Sequence, residues 1–207
     1  MTITLFHHPF SRASSMVWAL EELGQPYALR YIDIHAGEHK EPTLTGVNPM
    51  GKLPTLLDGD TVVTEAAAIC LYLADKYAPG RLAPALDDPQ RASYLRWSFF
   101  APSVVEPGVM ARANGWSFRE SSAGWGNYDA MLGALKSAVR GTYILGDTFS
   151  MADVVLGGTM RFLLKFGMLE PDPGLTAYVD RLSARPALQR ADARNASIAE
   201  ERGLNPA

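Results

Sequence analysis

Asn48-Pro49-Met50-Gly51-Lys52-Leu53-Pro54-Thr55-Leu56-Leu57-Asp58-Gly59-Asp60-Thr61-Val62-Val63-Thr64-Glu65-Ala66-Ala67-Ala68-Ile69 is the most informative stretch of this chain. Thr55-Leu56-Leu57 and Thr61-Val62-Val63 are β-rich runs separated by Asp58-Gly59-Asp60, and an Asp-Gly pair between two such runs signals a hairpin. Pro54 stands directly before the first run and cannot donate to a strand ladder. Two readings are open there. One is a trans proline at an ordinary strand start. The other is a cis Leu53-Pro54 bond, which would turn the Leu53 N–H and C=O into a cleft where a peptide-like ligand could add as a strand. After the hairpin, Glu65 opens a helix in which Ala66, Ile69, Cys70, Leu73 and Tyr77 share one face. The first amides of that helix lack intrahelical acceptors and attract a carboxylate, while the Glu65 side chain can take an ammonium group. An α-amino acid head group satisfies both. The plainer reading, a favourable charge in a first helical turn, stays open beside it.

Upstream, Ile3–Phe6 is short, apolar and β-branched, as a buried strand should be, and His7-His8-Pro9 breaks it. Ala13, Met16, Val17, Leu20 and Leu23 recur at helical spacing and Gly24 supplies the stop. Leu29–Ile34 alternates and reads as a second strand. Residues His35–Val47 read as a loop with a short irregular helix. The order is β-α-β followed by β-β-α, which predicts a four-stranded mixed sheet with helices packed on it. Between the first strand and first helix lies Pro9-Phe10-Ser11-Arg12-Ala13-Ser14-Ser15. A thiol bound there would sit at a helix N-terminus beside a hydroxyl, and both favour thiolate. Lowering a thiol pKa by roughly two units corresponds to about 2.7 kcal/mol. Helix capping by Ser11 or Ser14 is the alternative use of these hydroxyls.

Downstream, Ala78–Pro89 contains Pro79, Gly80, Pro84 and Pro89 and reads as a linker. Everything after Gln90 reads as helical. One helix is expected over Arg91–Arg112, bent by Pro102 and Pro107, with others over Tyr128–Val139, Ser150–Phe166 and Leu175–Ala184. The polar tail from Arg194 is expected to fray. The organisation expected is therefore α/β plus all-α: residues 1–78, a linker over 79–89, and a helical domain over 90–207. Of the 207 residues, 47% are hydrophobic and 20% charged, enough apolar content for a sizeable core. A net charge of −3 with scattered basic residues points to neither nucleic acid nor an anionic membrane. The N-terminus lacks the pattern of a signal peptide, and no apolar run reaches membrane-spanning length. Cys70 is the single cysteine, so no disulfide framework or CxxC pair is expected, and the cytoplasm is the default compartment. His7 and His8 have no metal-ligand spacing to other residues, and no metal is expected. Phosphate-loop, Ser-His-Asp and HExxH patterns are absent.

Taken together, His39-Lys40, Asn48 through Asp60 and Thr64 through Ile69 closely resemble cytosolic glutathione transferases, the theta-like and related bacterial members being nearest. Ser11-Arg12 followed by Trp18-Ala19-Leu20-Glu21-Glu22-Leu23-Gly24 is similar to a helix seen in bacterial members. Gly146-Asp147-Thr148-Phe149-Ser150-Met151-Ala152-Asp153 resembles the family's helix-capping motif, with Ser150 and Asp153 as a capping box. The resemblance spans nearly the whole chain in the right order. It implies a thioredoxin-like domain that binds glutathione as co-substrate, then a helical domain forming a pocket for a hydrophobic electrophile. Carried over by position, the Leu53 backbone would pair with the cysteinyl part of glutathione with Pro54 cis. Glu65 would hold the γ-glutamyl ammonium and the Ala66 amide its carboxylate. Lys52, His39 and Lys40 lie where the family binds the glycyl carboxylate, and Ser11 would hydrogen-bond the thiolate.

Two positions depart from the family pattern. Ser is usual where this chain has Ala66, and losing that hydroxyl removes a hydrogen bond worth on the order of 1 kcal/mol. Counting back from Gly24 without gaps, the theta-like serine falls on Phe10, so Ser14 and Ser15 stand behind Ser11 as alternatives. Tyr94, Trp97, Phe100, Val104, Met110 and Trp116 are possible pocket walls or plain core. The activity implied is transfer of the glutathione thiolate to an electrophile, in a homodimer. The alternatives are a glutathione-dependent peroxidase, isomerase or dehalogenase, or a binding module without chemistry.

Overall fold

The computed structural model describes residues 2–205. The elements, in chain order, are β1 (Ile3–His7), α1 (Ala13–Leu23), β2 (Tyr27–Tyr31), α2 (Pro42–Thr45), β3 (Thr55–Asp58), β4 (Thr61–Thr64), α3 (Ala66–Tyr77), α4 (Arg91–Phe100), α5 (Glu106–Ala113), α6 (Tyr128–Ala138), α7 (Gly158–Lys165), α8 (Pro173–Ser183) and α9 (Pro186–Glu201). They form two compact units, one from the chain up to Tyr77 with the segment from Ala184 onward, the other Ala78–Ser183.

The first unit is built on a four-stranded sheet in the order β2-β1-β3-β4. β1 and β2 are parallel, with Ile3 opposite Tyr27. β3 is antiparallel to both β1 and β4, and Phe6, Thr55 and Thr64 form one row across the three strands. This is the four-stranded mixed sheet that the element order predicts, and it fits the thioredoxin-like domain that the resemblance implies. Strand periodicity sends successive side chains to opposite faces. Ile3, Leu5 and Leu56 are buried, as are Met16, Val17 and Leu20 of α1 and Ile69, Cys70 and Leu73 of α3. Phe6 packs instead with Ile32 and Leu44, and Leu53 lies against that cluster.

β2 starts two residues before the expected Leu29 and stops at Tyr31. The Asp33 carboxylate accepts the amides of His35 and Ala36, a side-chain turn that takes those N–H groups away from any ladder. α1 ends at Gly24 (φ 74°), whose N–H reaches the Leu20 carbonyl. At the far end of β3, buried Asp58 accepts from Lys76 Nζ, Tyr72 OH and Tyr77 OH at 2.6–2.9 Å, tying the sheet to α3.

The tail expected to fray from Arg194 is instead the second half of α9. Ala187, Leu188 and Ala191 bury one face of this helix, which packs on α1. Arg185 pairs bidentately with Glu22 at 2.6 and 2.8 Å, and Arg190 meets Glu21 at 2.7 Å. The buried alanines and these ion pairs hold a segment whose own composition is polar.

In the helical unit, α4 runs through a wide turn over Ala101–Val105 into α5, the Glu106 amide bonding back five residues to the Ala101 carbonyl. Pro102 lies in that turn and Pro107 just beyond it, where the sequence places the bend. A second wide turn, Asp153–Gly157, precedes α7 without any proline. Buried Asp153 accepts from the amides of Ile144 and Ser150 and from Tyr178 OH, at 2.9, 2.9 and 2.7 Å. Half of the expected capping box forms in this way. The Ser150 hydroxyl lies 3.3 Å from the Asp153 carboxylate, on which it donates, and does not accept the Asp153 amide. Tyr94 and Trp97 are buried, whereas Met110 and Trp116 are exposed.

Candidate functional site

The row Phe6–Thr55–Thr64 places three chain segments at one end of the sheet. Residues following β1 enter α1, residues preceding β3 form the Asn48–Pro54 loop, and Glu65 follows β4. Both α1 and α3 start at this end. Their N-terminal amides and dipoles face the same region, which favours an anion there.

Asn48 shapes the loop before β3. It is 4% exposed. Its Nδ2 donates to the Lys52 carbonyl and to Thr55 Oγ1, each at 3.0 Å, and its Oδ1 accepts the Met50 amide at 3.2 Å. Thr55 Oγ1 donates to the same Lys52 carbonyl at 3.1 Å. Gly51 has φ 59°, and a Cβ there would stand 2.6 Å from the His39 carbonyl oxygen. Glycine thus lets the His39-Lys40 turn lie directly against the Lys52 loop, bringing these three expected residues into one neighbourhood. The Leu53–Pro54 peptide is cis and Pro54 is buried, so the trans alternative does not apply.

Glu65 is exposed and holds φ 67°, and is the only described residue other than glycine with positive φ. A left-handed conformation in an L-residue with a Cβ is unfavourable, and such strain clusters at ligand sites. The Glu65 carbonyl accepts the Ile69 amide at 2.9 Å, so this residue opens α3 with its side chain outside the helix. Ala66 begins the helix itself.

Ser11 lies in the turn between β1 and α1. Its hydroxyl donates to the His8 carbonyl at 2.8 Å and accepts the Ala13 amide at 3.2 Å. The hydroxyl proton is therefore already engaged, and Oγ satisfies an amide at the start of α1. Ser14 and Ser15 sit one turn further along and are half-buried.

His7 and His8 are completely buried. His7 Nε2 meets Asn195 Oδ1 of α9 at 2.6 Å. Burial chiefly, with the charges of His8 and Arg194, lowers the His7 pKa to about 4 against the opposing Asn195 bond. His8 Nδ1 accepts the Phe10 amide at 3.2 Å. Burial, then the neighbouring His35, lowers the His8 pKa, with Asp33 opposing. Sequence reasoning placed both histidines beside the site but missed their roles in the turn and the helix clamp. Asn195 carried no signal at all, being one polar residue in a polar tail, and Asn48 was legible only as part of a motif. Among the described residues, no group of three or more His, Cys, Asp or Glu is placed to hold a metal, and no helix is long and apolar enough to cross a membrane.

Residues 1–75 match the family model for the glutathione S-transferase N-terminal domain, and residues 126–186 match that for the C-terminal domain. Glutathione S-transferase A of Pleuronectes platessa is 28% identical over 178 residues, covering 80% of this chain and 79% of its own. Human glutathione S-transferase theta-2 is 41% identical over 78 residues, covering 37% of this chain and 32% of its own. A glutathione transferase from Phanerochaete chrysosporium, solved in complex with oxidized glutathione, superposes with a TM-score of 0.79 at 26% identity, over 95% of this chain and 97% of that one. With both domain models matched in order and the fold shared along nearly its whole length, the chain belongs to the glutathione S-transferase family.

Proposed function

We propose that this protein binds glutathione in its first unit and transfers the thiolate to a hydrophobic electrophile. The observation that carries the reading is the convergence, at one end of the sheet, of two helix N-termini, the Leu53 edge and the strained Glu65 junction. In this reading the Leu53 N–H and C=O pair with the cysteinyl residue. The Glu65 carboxylate takes the γ-glutamyl ammonium, and the Ala66 amide takes the adjoining carboxylate. Lys52, His39 and Lys40 offer positive charge and donors to the glycyl carboxylate.

The thiol sits at the start of α1. Its proton leaves to solvent, and the Ser11 hydroxyl turns from the His8 carbonyl to donate to the resulting sulfur anion. The sulfur electron pair then forms a bond to the electrophilic carbon, and the displaced group departs with the bonding pair. The protein contributes thiolate stabilisation and proximity. The theta-like class is favoured by the local identity to human theta-2 over 78 residues. A homodimer working in the cytoplasm on hydrophobic electrophiles completes the proposal.

The experiment is a calorimetric titration of glutathione into the wild type and Glu65→Ala. Binding to the first that the variant loses supports the site, and no binding to either sinks it. Turnover is then sought with aryl halides, epoxides, isothiocyanates and hydroperoxides. A second reading, a glutathione-binding module without chemistry, is favoured by Ala66 and by the prior engagement of the Ser11 hydroxyl. It predicts binding without the ultraviolet absorbance of a bound thiolate.

A further inference from the structure

His8 is buried to 0% exposure within a turn that its own atoms hold together. Its Nδ1 accepts the Phe10 amide, a contact between a side-chain acceptor and the amide two residues on, the geometry that Asn and Asp use in side-chain turns. Its carbonyl accepts both the Ser11 amide at 3.1 Å and the Ser11 hydroxyl at 2.8 Å. Phe10, Tyr31 and His35 surround the ring, with centroids 5.9, 5.6 and 5.4 Å away. An acceptor at Nδ1 requires the neutral tautomer protonated at Nε2, and that nitrogen is buried with no hydrogen-bond partner. A buried, unpaired donor is destabilising, so a role in folding alone does not account for histidine here.

The hydrogen bonds around Ser11 are arranged so that its proton can move without loss elsewhere. When the hydroxyl turns away, the His8 carbonyl keeps the Ser11 amide, and Oγ keeps the Ala13 amide. The donor is held in reserve at a fixed point two residues before α1 begins its rise. Neither Ser14 nor Ser15 lies in a turn tied in this way.

We propose that His8 is a positioning residue for thiol activation: through Nδ1 and its carbonyl it presents the Ser11 hydroxyl to the bound thiol. The proposal rests on the glutathione reading above, and it singles out Ser11 among the three serines. His35, Asp33, His7 and Tyr31 are the titratable groups facing the His8 ring, and burial, then His35, lowers the His8 pKa.

The test compares wild type, His8→Asn and His8→Leu. The asparagine Oδ1 occupies the place of Nδ1 and retains the turn, and leucine cannot. Four quantities are read: glutathione affinity by calorimetry, the pKa of the bound thiol by ultraviolet titration, and kcat and KM for glutathione with an aryl halide. His8→Asn is expected to stay within about threefold of the wild-type kcat. His8→Leu is expected to raise the bound-thiol pKa by about one unit and to lower kcat roughly tenfold at little-changed KM for glutathione. Equal values for the two variants, or a loss confined to KM, overturn the role of His8 while leaving the glutathione site intact. Absence of binding in the wild type overturns the glutathione reading and this role with it. Nitrogen-15 spectra of the wild-type imidazole give an answer independent of any variant: a His8 ring protonated at Nδ1 refutes the arrangement.

Discussion

Replacing Glu65 by glycine should stabilise the protein while removing the group proposed to hold the ligand ammonium. Glu65 sits at φ 67° at the entry to α3. A left-handed conformation costs an L-residue roughly 1–2 kcal/mol, and glycine is free of that cost. Glycine also gives the unfolded chain more freedom, which takes back about 0.4–1 kcal/mol. The net gain is about 0.5–1 kcal/mol, or ~1–4 °C in Tm for a chain of this size. Glu65→Ala is the control, since it loses the same carboxylate but keeps a Cβ and the strain. Urea denaturation and thermal melts of the three proteins give the stabilities, and calorimetry gives the affinities. Both variants should bind glutathione roughly tenfold to hundredfold more weakly, the worth of a hydrogen bond to a charged group. Glu65→Gly should be the more stable of the two variants and more stable than the wild type. A glycine variant no more stable than the alanine variant refutes the argument that Glu65 carries strain at a binding junction.

Acid should weaken the first unit through His7. The unfolded chain takes up this proton near pH 6.5, but the folded protein resists until about pH 4. Stability is therefore whole above pH 6.5 and falls as pH drops through that window, by up to roughly 3 kcal/mol. His7→Leu should flatten the pH dependence of the urea midpoint over this range, and an unchanged slope contradicts the assignment. Gly51→Ala combines left-handed strain with a Cβ 2.6 Å from the His39 carbonyl oxygen. It should cost about 2 kcal/mol or more in chemical denaturation, and a loss under about 0.5 kcal/mol would show that the loop adapts freely. Asp153→Ala leaves the Ile144 and Ser150 amides and Tyr178 OH without their acceptor in a buried site. A loss of about 3 kcal/mol or more is expected, and a thermal melt close to that of the wild type argues against a structural role for this network.

The site was partly written in local sequence. Pro54 before a strand and Glu65 at a strand-to-helix junction can each be singled out from a few neighbouring residues, whereas the positive φ of Gly51 and Glu65 came only with the fold. Asn48 needed the fold, because its amide acts by spanning from the Lys52 carbonyl to Thr55 Oγ1, and nothing in the residue type announces which groups it will meet. The same holds for Ser11. Three serines share the turn and the first helical turn, and only the hydrogen bonds that His8 accepts from the Phe10 amide and the Ser11 hydroxyl distinguish one of them.

The β-α-β-β-β-α order, the hairpin at Asp58-Gly59-Asp60 and the bend near Pro102 and Pro107 follow from the sequence alone. Each is driven by interactions between residues close in the chain: periodic apolar side chains, turn glycines and the missing amide of proline. The ending of β2 at Tyr31 goes with the local side-chain turn at Asp33, whereas the fate of the C-terminal tail depended on the tertiary structure. α9 is polar by composition. It is ordered because Ala187, Leu188 and Ala191 meet α1, because Arg185 and Arg190 meet Glu22 and Glu21, and because Asn195 finds the buried His7. Those partners lie more than 160 residues apart in the chain. The free energy that orders them exists only once the sheet and α1 have formed a surface to receive them.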